Sequence, residues 1–190
     1  MALGIELNEK DEDMLVKFNN SISGNLEIKH RVRESRIHDS NKVSRMCSIL
    51  AYSIHMCESL AKTGCIRNKT YDGHLNLVTI PTKELRIHFM RGYIDGDGYI
   101  SGEHGRYDMH IVVHNHNIMN SLLRIMVEDF GIIPRIKYEQ DALGGAYRMY
   151  VSNKRDFFKF LGQLYFDANI KMERKYQNYL SYGRPETKVA

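Results

Sequence analysis

The stretch GYIDGDGYI, residues 92–100, sets Asp95 and Asp97 two positions apart, each followed by glycine. Carboxylates are hard oxygen donors, and this spacing admits three readings. Asp-Gly pairs tolerate positive φ and build turns that carry no chemistry. Alternating aspartates also open calcium loops. Such a loop needs an oxygen ligand two residues after Asp97, then a glycine, and an acid at its twelfth position. Tyr99 and Ile100 occupy the first two places and Arg106 the last, which excludes it. The third reading depends on the preceding segment. TKELRIHFMRGYI (82–94) has helical spacing, with Gly92 and Gly96 four apart and in line with Leu85 and Phe89. Glycine costs a helix interior about 1 kcal/mol relative to alanine, and close approach of another backbone is the usual reason to keep it. Two such helices crossing at their glycines would place two aspartates side by side. Adjacent carboxylates repel unless a divalent cation neutralises them. A hard cation held there can activate water and steady a departing phosphate oxygen.

The elements that must position these residues follow from periodicity and turn signals. Residues 4–7 read as a strand and 9–22 as a helix capped by Asn8. Residues 25–32 and 42–52 read as strands and 53–62 as a helix that stops at Gly64. After the 82–94 helix and the DGDG turn come a short strand from Gly98 and a second strand over 107–115. A helix over 118–130 stops at Gly131, two strands flank DALGG, and helices cover 154–166 and 171–181. The order strand, helix, strand, strand, helix therefore occurs twice. IELNEKDEDMLVKFNNSISG lines up with VVHNHNIMNSLLRIMVEDFG, setting Asn8 against Asn115, Leu15 against Leu122 and Gly24 against Gly131. SLAKTGCIRNK likewise resembles QLYFDANIKME. We read a tandem duplication, with a first half over 1–80 and a second over 81–190 that alone carries the motif helix.

Composition bounds the class. The 190 residues are 43% hydrophobic, with 12 Tyr and 7 Phe, enough to fill a core rather than remain disordered. No apolar run approaches the roughly 20 residues of a membrane span, and acids interrupt the N-terminal segment throughout, unlike a signal peptide. Cys47, Cys57 and Cys65 form no CxxC pair and read as reduced, small core residues, which fits an intracellular setting. Net charge is +4, from 27 Lys+Arg and 23 Asp+Glu. Acids crowd Glu6 to Asp13, whereas Arg148, Lys154, Arg155, Lys159, Lys171, Arg174 and Lys175 fall in the last forty-odd positions, so a basic face is expected.

His110, His114 and His116 have the alternation of one strand face. Imidazoles so placed suit zinc, although no cysteine or acid nearby completes a site. Alternatively they are solvated, or reach base edges in a DNA groove. The strand residues Arg106, Arg135, Lys137 and Arg148 would then add phosphate or guanine contacts.

MRGYIDGDG, Met90 to Gly98, resembles the LAGLIDADG motif of homing endonucleases, agreeing at Gly92, Ile94, Asp95, Asp97 and Gly98. The downstream order of elements, ending in KMERK, is similar too. The resemblance implies an α+β fold of two half-repeats whose curved antiparallel sheets straddle the DNA major groove, with helices on the other face. It implies paired motif helices, through self-association of the 82–94 helix or a pseudo-dimer, and magnesium-dependent cleavage of double-stranded DNA. It makes Asp97 a metal ligand and catalytic residue, Gly96 a carbonyl ligand, and Asp95 a brace at the helix end. Asn115 would lie near the attacking water, and Lys171 or Lys175 would organise that water. It also implies a mobile intron or intein as host element, in a bacterial, phage or organellar setting. The first half lacks the motif helix, and Met1 falls where its second strand would begin. The expectations are therefore pairing with another copy, a missing upstream piece or inactive remnant, or a protein that binds nucleic acid without cutting. RNA would be the ligand of a maturase.

Overall fold

The computed structural model describes residues 1–34, 43–62, 80–140 and 144–183, which fall into two compact units. Cys65 and the Gly64 helix stop lie outside the described residues.

The first unit comprises Met1–Leu60 with Met172–Arg174. Its strands β1 (Ala2–Asn8), β2 (Lys29–Glu34) and β3 (Val43–Tyr52) form an antiparallel sheet in the order β1-β3-β2. Ile5 faces Ile49 and Lys29 faces Ser48 in its register. The helix α1 (Glu12–Ser21) covers one side through Leu15, which packs with Cys47 and Ile49 and is flanked by Ile5, Leu7, Phe18, Leu26 and Ile28. Cys47 is fully buried, as its expected core role requires, and burial pushes its thiol pKa up. Asn8 does cap, accepting from Lys10 N at 3.1 Å, but it caps a 3₁₀ turn over Glu9–Asp11 that precedes α1. Strand β2 starts four residues later than its sequence suggests. Asn19 holds Leu26 instead, accepting from its N–H at 3.1 Å and donating to its carbonyl at 3.0 Å. A side chain that satisfies both backbone groups of one residue removes the need for ladder partners there. Helix α2 (Ile54–Lys62) follows β3.

The second unit comprises Ala61–Lys171 with Lys175–Ala190. It opens on α3 (Lys83–Asp97) and continues through β4 (Tyr99–Ser101), β5 (Asp108–Val113), α4 (His116–Glu128), β6 (Arg135–Glu139), β7 (Ala146–Val151), α5 (Lys154–Tyr165) and α6 (Glu173–Gly183). The antiparallel sheet runs β4-β5-β7-β6. Alternate residues Met109, Ile111 and Val113 of β5, with Met149 and Val151 of β7, face a core shared with Met90 and Ile94 of α3, Leu122 and Met126 of α4, and Phe157, Phe160 and Leu164 of α5. Strands β5, β7 and β6 repeat the order β1-β3-β2, with α4 and α5 following their strands as α1 and α2 do. Only β4, which continues directly from α3, has no counterpart among the described strands.

Two boundaries near the motif differ from the sequence reading. The DGDG segment is not a turn outside the helix: α3 continues through Asp97, and Gly98 N closes on Ile94 O at 2.9 Å. Glycine is required at 98, because a Cβ there would meet Ile94 O at 2.6 Å. Helix α4 starts at His116 rather than 118, because Asn115 already caps it.

Candidate functional site

Helix α3 separates its two aspartates by environment. Thr82 starts it, accepting from Leu85 N at 3.3 Å. Met90, Arg91, Ile94 and Asp95 point inward. Arg91 donates from Nε to Leu164 O at 2.6 Å and lies 2.8 Å from His88 Nδ1, and burial pulls its guanidinium pKa down. Asp95, 3% exposed, accepts from the Tyr165 hydroxyl at 2.8 Å. Burial and the Asp95 charge push the Tyr165 phenol well above its ordinary value. Asp95 is thus a brace between α3 and α5. Gly92, Gly96 and Asp97 are exposed on the other side, and a Cβ at either glycine would meet nothing within 4 Å. The described chain leaves that face of α3 open. Tyr93, one turn before Asp97, is pushed up to about 12 by burial first and by the Asp97 charge second.

Lys175 closes the helix end. Its buried ammonium group donates to the carbonyls of Ile94 (2.7 Å), Asp95 (2.7 Å) and Gly98 (2.6 Å). The last carbonyls of a helix lack partners and carry its partial negative charge, so a cation there satisfies both needs. Lys171 donates instead to Ala168 O at 2.6 Å and lies 4.7 Å over the Tyr176 ring. Of the two competing lysines, Lys175 is the one at the motif. Asn115, 7% exposed, follows β5 and accepts from Asn117 N (2.9 Å) and Ile118 N (3.1 Å), so its side chain starts α4.

The sheet face opposite the core carries the expected bases. Its register aligns Tyr99, His110, Tyr150 and Arg135 in one row, and Val112, Arg148 and Lys137 in the next. Tyr99 stacks on His110 at 4.8 Å, and His110 Nδ1 is 3.0 Å from Asp108. Lys137 Nζ and Arg148 Cζ each lie 6.0 Å from the Tyr150 ring centre. Arg148 also pairs with Glu139 at 3.3 Å. His114 continues the β5 alternation, half-buried. Arg106 is exposed after the 3₁₀ turn Glu103–Gly105. His116 leaves the strand: it is the first residue of α4, beside Tyr147, whose side chain points to the opposite face from Arg148. The three histidines are therefore not brought together, and among the described residues no three His, Cys, Asp or Glu side chains are grouped to hold a metal. Sequence reading missed Asp108 and Tyr150 on this face. Alternation with His110 and Arg148 was the signal for both.

Residues 84–165 match the family model of the LAGLIDADG-like domain. This segment is a LAGLIDADG-like domain. Solved structures extend the likeness across most of the chain. The N-terminal LAGLIDADG domain of DUF199/WhiA is 15% identical, with 90% of this chain and 75% of that one covered at a TM-score of 0.56. The homing endonuclease I-WcaI, bound to its DNA recognition sequence, is 12% identical over 92% and 74%, at 0.57. I-DmoI in complex with DNA and Ca is 14% identical over 90% and 77%, at 0.54. No curated protein matches the sequence. The LAGLIDADG-like fold thus takes in the first unit as well as the domain. No helix among the described residues is long and apolar enough to cross a membrane.

Proposed function

We propose that this chain is a site-specific, divalent-metal-dependent DNA endonuclease of the homing type. The observation that carries the reading is the division of labour on α3: Asp95 is consumed by the Tyr165 brace, while Asp97 is exposed beside Gly96 at the helix end. An exposed carboxylate and a backbone carbonyl are hard oxygen donors. Magnesium is usually held by one or two carboxylates together with substrate phosphates and retained waters, so this sparse donor set fits it. Asp97 and Gly96 would hold the ion, which when bound would supply a lowered water pKa and charge neutralisation at phosphate. Lys175 fixes the helix end that presents them, and Asn115 fixes the start of α4. The sheet face of Arg135, Lys137, Arg148, His110 and His114 would meet the duplex, with Arg106 at its margin, whereas His116, on α4 beside Tyr147, is set apart from it. The structurally similar I-WcaI and I-DmoI are each solved with DNA, which supports that ligand.

The open Gly92/Gly96 face favours pairing of α3 with a second motif helix, from another copy or another chain, which would bring a second aspartate. If no such helix arrives, the same basic face makes the chain a non-cleaving binder of DNA, or of RNA in a maturase. One experiment separates these. The purified chain and its Asp97→Asn form are incubated with magnesium and a duplex made by joining the sequences that flank the gene. Defined cuts by the parent alone support the endonuclease. Tight binding by both forms with no cut by either supports the binder.

A further inference from the structure

Glu139 on the basic sheet face pairs with Arg148, but the face holds a second acid that phosphate binding does not explain. Asp108 lies on β5 among the residues that would meet DNA, and a carboxylate there repels phosphates. Its Oδ1 is buried and without a hydrogen-bond partner among the described residues, while Oδ2 faces His110. Its side chain is still 36% exposed. It lines a cleft of about 200 Å³ with Arg135, Lys137, Tyr150 and Ser152. The rest of the side chain opens onto this cleft, where a carboxylate suits a ligand that supplies hydrogen-bond donors. A metal ion suits the cleft poorly, because Arg135 and Lys137 bring two positive charges to it.

In the major groove, carboxylates accept from the cytosine N4 amino group, and arginine or lysine donates to guanine O6 and N7. One cleft that holds both kinds of side chain, walled by an aromatic ring, suits the two halves of one base pair. Resting on the DNA reading above, we infer that the Asp108–Arg135 cleft reads a C·G pair, with Asp108 on the cytosine amino group and Arg135 or Lys137 on the guanine. Asp108 is then a specificity-determining residue.

The test is selection of bound duplexes from a randomised library by the full chain, followed by titration of single-position variants of the selected site in fixed salt. The parent is expected to prefer C·G at one position by about 10-fold or more over the other pairs, the discrimination of one good base contact. Asp108→Ala reduces that preference to about 2-fold or less and leaves other positions unchanged, and Arg135→Ala flattens the same position. Asp108→Asn keeps the side chain's shape and shifts the preference toward A·T, since an amide pairs with adenine. Thermal unfolding of each variant confirms folding. If Asp108→Ala instead tightens binding equally on every duplex with the preferences intact, Asp108 merely tunes charge and the inference falls. If the parent retains no duplex at all, the DNA reading fails with it.

Discussion

Lys175 Nζ lies 2.6 Å from Gly98 O, 77 residues away in sequence, and the same ammonium group also reaches Ile94 and Asp95. The end of the motif helix is therefore held by a side chain from α6 in addition to the local Gly98 N–H to Ile94 O closure. Charge-assisted bonds of this kind are roughly twice as strong as neutral ones, and removing one partner leaves buried carbonyls unsatisfied. Lys175→Met preserves length but no donor. It is expected to cost about 2–4 kcal/mol by that reasoning, read as a lowered urea midpoint at unchanged m. A loss below about 0.5 kcal/mol would mean that the carbonyls find other partners when the ammonium is gone.

The two aspartates of the motif should separate cleanly into stability and activity. Tyr165→Phe leaves Asp95 short of a donor in a buried site, at an expected cost of about 1–3 kcal/mol. Asp97→Asn changes an exposed group and should fall within about 0.5 kcal/mol of the parent. Chemical unfolding of the two variants measures this directly. Equal destabilisation by both would show that Asp97 has a structural contact and would weaken its assignment to a metal.

The alkaline limb of stability follows from the phenols. Tyr93 is pushed up to about 12 by burial and by Asp97, and Tyr165 is raised by burial and by Asp95. A pKa raised in the folded state contributes stability that is complete below the unfolded value, near 10 for tyrosine, and is lost as pH rises through the folded value. Stability should accordingly hold up to about pH 10 and fall between about 10 and 12. Asp97→Asn removes the second cause at Tyr93, so its phenolate should form at lower pH than in the parent, as followed by phenolate absorbance. An unchanged titration would place the Asp97 charge too far away to matter.

How legible this was in the sequence depended on the range of the interactions involved. The α3–β4 segment, the doubled strand order and the basic residues of β6 and β7 follow from local periodicity, which burial of one face enforces. The motif resemblance made Asp97 the metal ligand and Asp95 a brace at the helix end; in the structure Asp95 is buried against Tyr165 and Asp97 is exposed. The partners did not follow. Nothing near Asp95 in sequence points to Tyr165, and Lys175 and Lys171 are equivalent in composition until α6 is packed. The extension of α3 through Asp97 was hidden for the same reason: Asp-Gly pairs signal turns locally, and a distant lysine overrides the signal. His116 was misplaced by extrapolating strand alternation past Asn115, whose capping oxygen ends the strand pattern.

The glycines of α3 give the sharpest test of what its open face is for. Gly98 has no room: a Cβ would sit 2.6 Å from Ile94 O, so Gly98→Ala must distort the helix end and is expected to cost about 1–3 kcal/mol. Gly92 and Gly96 have room on every side, so alanine there should stabilise the isolated chain by about 0.5–1 kcal/mol through helix propensity. If the face serves to pack a second motif helix, the same alanines obstruct the close approach of the two backbones. Gly92→Ala and Gly96→Ala would then raise the thermal midpoint of the dilute protein while abolishing DNA cleavage and any concentration-dependent association in sedimentation. Stabilised variants that associate and cut as the parent does would show that α3 works without a partner helix.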